Sequence, residues 1–142
     1  MVDIIIDADG AILGRIAAYA AKQALLGKTV AIVNAEKAVI SGTKRTTISE
    51  AKRKRAMGVP RKGPYVSKLP DRYVRRVVRG MLPYKQPRGR AAYERVMCYI
   101  GKPATIEGET IRVAGADASK LPNLKHLTVA RICAEFGGKH HD

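Results

Sequence analysis

The chain has 142 residues, of which 46% are hydrophobic and 27% are charged, and its formal net charge at pH 7 is +15. This length fits a single domain, predicted here as residues 1–142, and the apolar content excludes a wholly disordered chain. No run of about 18 apolar residues occurs, so we expect no membrane-spanning helix and no membrane partner.

The cysteines and the N-terminus predict a cytoplasmic protein. Cys98 and Cys133 have no partner at the spacing of a metal site or a redox motif, and isolated thiols are typical of a reducing compartment. The N-terminus enters an apolar run flanked by Asp3 and Asp7, without the basic start of a signal peptide.

The first 40 residues predict strands separated by a helix. The alanine-rich stretch 11–26 favours a helix that stops at Gly27, with Asp9 as a candidate cap and Gly14 allowing close packing on a sheet. Uninterrupted apolar strands beside helices are typical of a parallel sheet in an α/β protein. Three β-branched apolar runs predict the strands: 2–8, 29–34 and 38–40.

The middle of the chain predicts basic helices separated by Gly/Pro-rich loops. Pro70 suits the first turn of a helix whose Val74, Val77, Val78 and Met81 share one face, with arginines on the other. In chain order, this part predicts a helix at 44–57, a loop at 58–69, a helix at 70–81, a loop at 83–90, a helix at 90–96 and a strand at 97–100.

The last third is nearly neutral. Residues 110–113 predict a strand, and Thr128 is placed to cap a short helix over 129–136.

Almost all of the charge imbalance lies between Lys44 and Arg95, which we call the basic segment. It holds 17 Lys or Arg and three acids, a net charge of +14, and the rest of the chain sums to +1. A solvated surface is the usual interpretation of a single charge run. Here, however, cations recur over two helices and two loops, and such crowding opposes folding unless a counter-charge arrives. We therefore predict that this segment binds nucleic acid.

Arginine outnumbers lysine in the basic segment, and guanidinium groups bind phosphate bidentately and stack on bases, which suits folded RNA. No helix-turn-helix, zinc-finger or basic-zipper pattern indicates sequence-specific DNA binding. Tyrosines in the segment fit either the core or stacking on unpaired bases, with Tyr65 and Tyr84 as the stacking candidates. The candidate RNA-binding residues are Lys44, Arg45, Lys52, Arg53, Lys54, Arg55, Arg61, Lys62, Lys68, Arg72, Arg75, Arg76, Arg79, Lys85, Arg88 and Arg90.

No constellation of residues predicts catalysis. Residues 10–14 stand where a dinucleotide fingerprint would, but GxGxxG is not satisfied, and no GxxxxGK[ST] loop is present. His140, His141 and Asp142 resemble a ligand cluster, yet they form the C-terminus, where tails are usually solvated. We expect no enzyme activity, cofactor, metal or small-molecule substrate; an α/β enzyme acting on RNA is the rival hypothesis.

Two parts of the sequence resemble the L13 family of large-ribosomal-subunit proteins. Its beginning is matched by residues 7–17, 30–36 and 40–42, with sequences DADGAILGRIA, VAIVNAE and ISG. Its signature is matched by residues 79–83, 89–90 and 96–101, with sequences RGMLP, GR and VMCYIG. These matches follow in order along residues 3–101, and the ending at 124–136 is similar to that of the archaeal branch.

The resemblance implies a three-layer α/β/α domain around a four-stranded parallel sheet, with basic helical and loop extensions. It also implies a structural role in the large subunit, binding its ribosomal RNA early in assembly beside neighbouring ribosomal proteins. Some relatives bind messenger RNA and repress translation, which stays an alternative. In this interpretation, the RNA-facing parts are the basic helices and loops, and the chain turns at Gly42, Gly80, Pro83 and Gly89.

Overall fold

The computed structural model describes residues 2–122 and 125–137. The strands are β1 (Ile4–Asp7), β2 (Val30–Val33), β3 (Val39–Ser41), β4 (Val96–Cys98), β5 (Thr110–Ile111) and β6 (His126–Thr128). The helices are α1 (Leu13–Leu25), α2 (Lys44–Ala56), α3 (Pro70–Gly80), α4 (Pro87–Glu94) and α5 (Val129–Glu135), and short 3₁₀ turns lie at Ala35–Lys37 and Ala118–Lys120.

Four parallel strands form the central sheet, in the order β4-β2-β1-β5. Val30 of β2 lies opposite Ile4 of β1 and Val96 of β4. All four residues of β2 are buried, as expected for an inner strand of a parallel sheet covered on both faces. The sheet and its helices confirm the predicted three-layer α/β/α class.

The strand predicted at 38–40 exists, but it does not join the parallel sheet. β3 pairs antiparallel with β6, a strand that the sequence analysis missed. Only five residues separate β2 from β3, whereas a parallel neighbour needs a crossover of about a dozen residues or more. Asn34, at a φ of 56°, and the 3₁₀ turn after it redirect the chain out of the sheet.

Helix α3 buries the face that the sequence predicted. Val74 and Val78 have no exposed surface, and Pro70 is buried at the start of the helix. Burying each valine contributes roughly 1.5–3 kcal/mol. The predicted apolar face ends earlier than expected, because Met81 is 42% exposed and Leu82 is buried instead.

Helix α4 begins at Pro87, so the predicted loop at 83–90 is shorter than expected and the helix starts before residue 90. Gly89 is therefore not a turn residue. It lies within α4, where an added Cβ would come within 1.9 Å of the Pro83 carbonyl oxygen. Its lack of a side chain is what lets the two segments approach.

Two predictions about the start of α1 are wrong. Asp9 does not cap the helix, because Ile12 occupies the N-cap position, and the Asp9 carbonyl oxygen instead accepts a hydrogen bond from Arg112. Gly14 is exposed, and no atom lies within 4 Å of where its Cβ would stand, so it permits no close packing.

The elements near the C-terminus match their predictions more closely than the start of α1 does. The Thr128 hydroxyl accepts a hydrogen bond from the Arg131 N–H at 3.3 Å, as a cap of α5 should. The strand at 110–113 is present but spans only Thr110–Ile111. In the part of the chain that the structure describes, no helix is both long and apolar enough to cross a membrane.

Candidate nucleic-acid interface

Helix α2 presents cations without burying any residue. Thr43 caps the helix by accepting a hydrogen bond from the Thr46 N–H at 3.3 Å. Its six candidate cations stand at 44–45 and 52–55, and at about 100° per residue the four consecutive ones point in different directions. A helix that buries none of its residues lacks the broad apolar face that normally stabilises a surface helix. An anionic partner around α2 would supply what the protein core does not.

Two cations of α2 already have partners on the protein. Arg53 donates to both carboxylate oxygens of Glu50, at 2.9 and 3.1 Å, which lowers the pKa of Glu50. Lys52 lies 3.6 Å from Glu135. The Glu50 pair is exposed, so it is weak and an incoming phosphate can compete with it. Glu135 is partly buried and also pairs with Arg131 at 3.3 Å.

The arginines of α3 have four different surroundings. Arg72 is exposed and has no hydrogen-bond or ion-pair partner among the described residues. Arg76 donates to the Tyr65 carbonyl oxygen at 2.9 Å, which ties the loop at 58–69 to the helix.

Arg75, by contrast, is turned into the protein. Its guanidinium donates to the carbonyl oxygens of Val96 at 2.9 Å and Tyr93 at 3.3 Å, and lies 4.0 Å from the centre of the Tyr93 ring. These contacts tie α3 to the end of α4 and the start of β4. The geometry therefore supports a structural role for Arg75.

A cluster of aromatic and guanidinium groups follows α3. Arg79 lies 4.1 Å from the centre of the Tyr84 ring, and Tyr93 meets that ring edge-on at 5.4 Å. Arg90 donates to the Tyr84 carbonyl oxygen at 3.2 Å, and Arg88 to the Gln86 side chain. Tyr84 is thus engaged by neighbours within the protein.

A basic cleft of about 610 Å³ opens beside this cluster. Arg76, Arg79 and Lys85 line it, together with the turn that follows α3. Gly80 is the last residue of α3, and Pro83 supplies the carbonyl oxygen that approaches Gly89. The cleft brings together cations from positions 76 to 85 on one surface.

The loop at 58–69 exposes Arg61, Lys62 and Lys68. Tyr65 is 62% exposed, and its hydroxyl donates to the Pro60 carbonyl oxygen at 2.9 Å. At the other end of α2, Gly42 has a φ of 131°, and an added Cβ would lie 2.9 Å from the Thr47 hydroxyl oxygen. That position supports the predicted turn into α2.

Charged side chains fill the place where doubly wound proteins bind ligands. The strand order reverses between β1 and β5, and ligands usually bind at the carboxyl ends of such strands. There Asp7 accepts hydrogen bonds from Asn34 and the Asp9 N–H and pairs with Arg112 at 3.4 Å. Sequence reasoning missed Arg112, because a lone arginine in a neutral stretch carries no pattern.

Glu36 is a second internal charge that the sequence did not reveal. It is only 3% exposed, and its carboxylate accepts a hydrogen bond from the Gly101 N–H at 3.0 Å. No group of three or more metal-ligating side chains occurs among the described residues. The cluster suggested at residues 140–142 lies outside them.

An α/β domain that carries an exposed helix rich in cations, with a basic cleft on the same basic segment, is typical of proteins that bind a polyanion. Comparison with known proteins shows the family to which the chain belongs. The profile of the family described as Ribosomal protein L13 matches residues 2–105, and the chain belongs to that family. The resemblance in the sequence is thereby confirmed, and so is the prediction that the chain is not an enzyme.

Archaeal relatives match nearly the whole chain, and each is described as large ribosomal subunit protein uL13. The protein of Methanopyrus kandleri is 46% identical over 136 residues, covering 94% of this chain and 86% of its own length. That of Methanosarcina barkeri is 46% identical over 137 residues, covering 95% and 98%. That of Methanocaldococcus jannaschii is 41% identical over 139 residues, again covering 95% and 98%.

Proposed function

We propose that the chain is a structural constituent of the large ribosomal subunit and binds large-subunit ribosomal RNA during assembly. The observation that carries this proposal is the similarity to uL13 proteins over about 95% of the chain. The charge distribution supports it, because a net +14 within the basic segment favours a polyanionic partner. Neighbouring ribosomal proteins are further partners, and the location is the cytoplasm.

The phosphate contacts fall first on cations that have no partner among the described residues. These side chains are solvated, so binding RNA replaces only water and counterions. They are Lys44, Arg45, Arg61, Lys62, Lys68, Arg72 and Lys85. Lys54 is also exposed, although it interacts electrostatically with Glu50.

A second group combines a contact inside the protein with unused donors. Arg76 and Arg90 each donate one N–H group to a backbone carbonyl, and a guanidinium carries five such donors. Arg79 and Arg88 are similarly held by Tyr84 and Gln86. These arginines fix the shape of the loops and present their remaining N–H groups to phosphate.

RNA binding is tested by the affinity of the purified chain for large-subunit ribosomal RNA at several salt concentrations. Each phosphate neutralised releases counterions, so the log–log slope should steepen by about 0.7–0.9 per contact. Large-subunit RNA should compete better than small-subunit RNA of equal length. Equal competition by the two RNAs would contradict specific binding to the large subunit.

A further inference from the structure

A small pocket lies between α2, α3 and α5, on the side of α2 that faces the protein. Its volume is about 200 Å³, and its apolar wall includes Ala51, Tyr73, Val77 and Phe136. Ligand pockets for drug-sized molecules usually measure roughly 300–1,000 Å³, so this one suits a single flat ring system. A wider groove of about 480 Å³ adjoins it and shares Ala51 and Tyr73.

The charges around the pocket favour an anionic chain. Lys54 of α2 and Arg76 of α3 line it from opposite helices, and no acidic side chain is among its lining residues. Glu50 lines the adjoining groove, where its charge is paired with Arg53 at 2.9 Å. Arg55 lies nearby, with its guanidinium 5.1 Å from the centre of the Phe136 ring. An apolar cavity between cations suits a flat ring that is attached to an anionic chain, as a base is to its phosphate backbone.

Tyr73 provides a polar group in this apolar wall. The side chain is half-buried, and its hydroxyl makes no hydrogen bond within the described residues. Burial raises the pKa of Tyr73, so the hydroxyl keeps its proton and remains a donor. Ser67 also lines the pocket. Its hydroxyl oxygen accepts a hydrogen bond from the Leu69 N–H, and this leaves the hydroxyl proton free to be donated to a ligand.

We propose that this pocket receives one unstacked base of the bound ribosomal RNA, an inference that rests on the function proposed above. RNA-binding proteins commonly recognise unpaired bases by aromatic contact and by hydrogen bonds to the base edge. Tyr73 and Phe136 supply the aromatic wall, and Tyr73 supplies a donor for the edge. Lys54 and Arg76 hold the phosphates on either side of the inserted nucleotide.

This assignment differs from the tyrosines favoured by the sequence. The ring of Tyr84 is already covered by Arg79 at 4.1 Å and met edge-on by Tyr93. Tyr65 is exposed on a loop and lines no part of the pocket. Tyr73 is one of the four tyrosines of the basic segment, and the sequence alone does not separate core tyrosines from stacking ones.

The test uses base-specific chemical modification of protein-free large-subunit RNA, with and without the full chain. Wild-type protein should shield the Watson–Crick edge of one unpaired nucleotide within its footprint. Ala51→Leu fills the pocket from α2 without changing any charge, so that base should become reactive again. The affinity should fall roughly tenfold, the size expected for one lost base–aromatic contact, with an unchanged salt slope.

Two further variants complete the experiment. Ala104→Leu makes the same substitution at an exposed site outside the basic segment and should leave base reactivity and affinity as in wild type. Tyr73→Phe keeps the ring and removes only the hydroxyl, so it should keep the base shielded while weakening binding several-fold. Circular dichroism and thermal unfolding check that each variant is folded.

The outcomes separate this inference from the function on which it rests. Wild-type protein that binds tightly and salt-dependently but shields no base would contradict the proposal that the pocket receives a base. So would a base that Ala51→Leu shields as well as wild type does. Either result would assign the pocket to another occupant, such as a protein segment. Ribosomal RNA binding would still stand in that case. Failure of the wild-type chain to bind large-subunit RNA would contradict both proposals.

Discussion

The guanidinium of Arg75 lies 4.0 Å from the centre of the Tyr93 ring and donates to the Tyr93 carbonyl oxygen. This contact joins α3 to α4, the helix that follows the loop at 81–86. An arginine that belongs to the basic segment by sequence therefore serves the internal structure. The neighbouring Arg72, one turn earlier on the same helix, is exposed to solvent.

Arg75→Gln should destabilise the fold and leave the salt dependence of RNA binding nearly unchanged. The substitution removes charge-assisted hydrogen bonds to the carbonyl oxygens of Val96 and Tyr93, at a cost of about 1–3 kcal/mol in the free energy of unfolding. Urea unfolding measures that cost. Arg72→Gln is the matched control. It should leave the free energy of unfolding unchanged and make the salt dependence of RNA affinity shallower. Equal slopes for the two variants would contradict this division of roles.

The cations of α2 should contribute directly to the salt dependence. Replacing Lys44, Arg45 and Lys54 by Gln removes three solvated charges, so the log–log slope should fall by about 2, and the fold should persist because α2 buries no residue. The control replaces Lys28, Lys37 and Lys120, which are exposed outside the basic segment, and changes net charge equally. If the two triple variants bind alike, net charge rather than α2 governs binding.

Gly89→Ala should destabilise the protein by about 3 kcal/mol, because its Cβ would overlap the Pro83 carbonyl oxygen at 1.9 Å. Gly14→Ala is the opposite case, since its helical position is open and alanine is the better helix former. It should raise stability by about 0.5–1 kcal/mol. Thermal unfolding of both variants checks the pair, and an unchanged melting temperature for Gly89→Ala would refute the close approach.

The two buried thiols should make stability fall at high pH. Burial raises the pKa of Cys98 from 9.0 to about 12 and that of Cys133 from 9.0 to about 11. Since the folded pKa values exceed the unfolded ones, the stabilisation from the neutral thiols is complete below pH 9 and is lost as the pH rises toward 11 and 12. Unfolding measured between pH 8 and 11 should therefore show a smaller loss in the double variant Cys98→Ala, Cys133→Ala.

Alkylation provides an independent check on the same thiols. The thiolate is the reactive form, so both cysteines should react slowly at pH 8 in the folded protein and rapidly in urea. Rapid labelling of the folded chain would contradict their burial.

The sequence predicted the regular core and the helices of the basic segment well, because both depend on local patterns. Val74 and Val78 follow the helical period, and the run Val30–Val33 shows the β-branched composition of a buried strand. The antiparallel pair of β3 and β6 was missed, because it joins residues about 90 positions apart and β6 is short and polar.

The candidate site was predicted less completely than the fold. Composition shows which residues are cationic, but it does not show where each guanidinium points. Arg72 and Arg75 are three positions apart on one helix, yet one is solvated and the other is bound to Val96 and Tyr93. The role of Gly89 likewise depends on the path of Pro83 beside it, which no local pattern records.

A constituent of the large ribosomal subunit should sediment with that particle. The decisive measurement is sucrose-gradient sedimentation of a lysate from cells that naturally make the chain, after a moderate salt wash and dissociation of the two subunits. The chain should co-migrate with the large subunit at one copy per particle. A chain that stays at the top of the gradient, or that migrates with messenger RNA and leaves on nuclease treatment, would contradict the account.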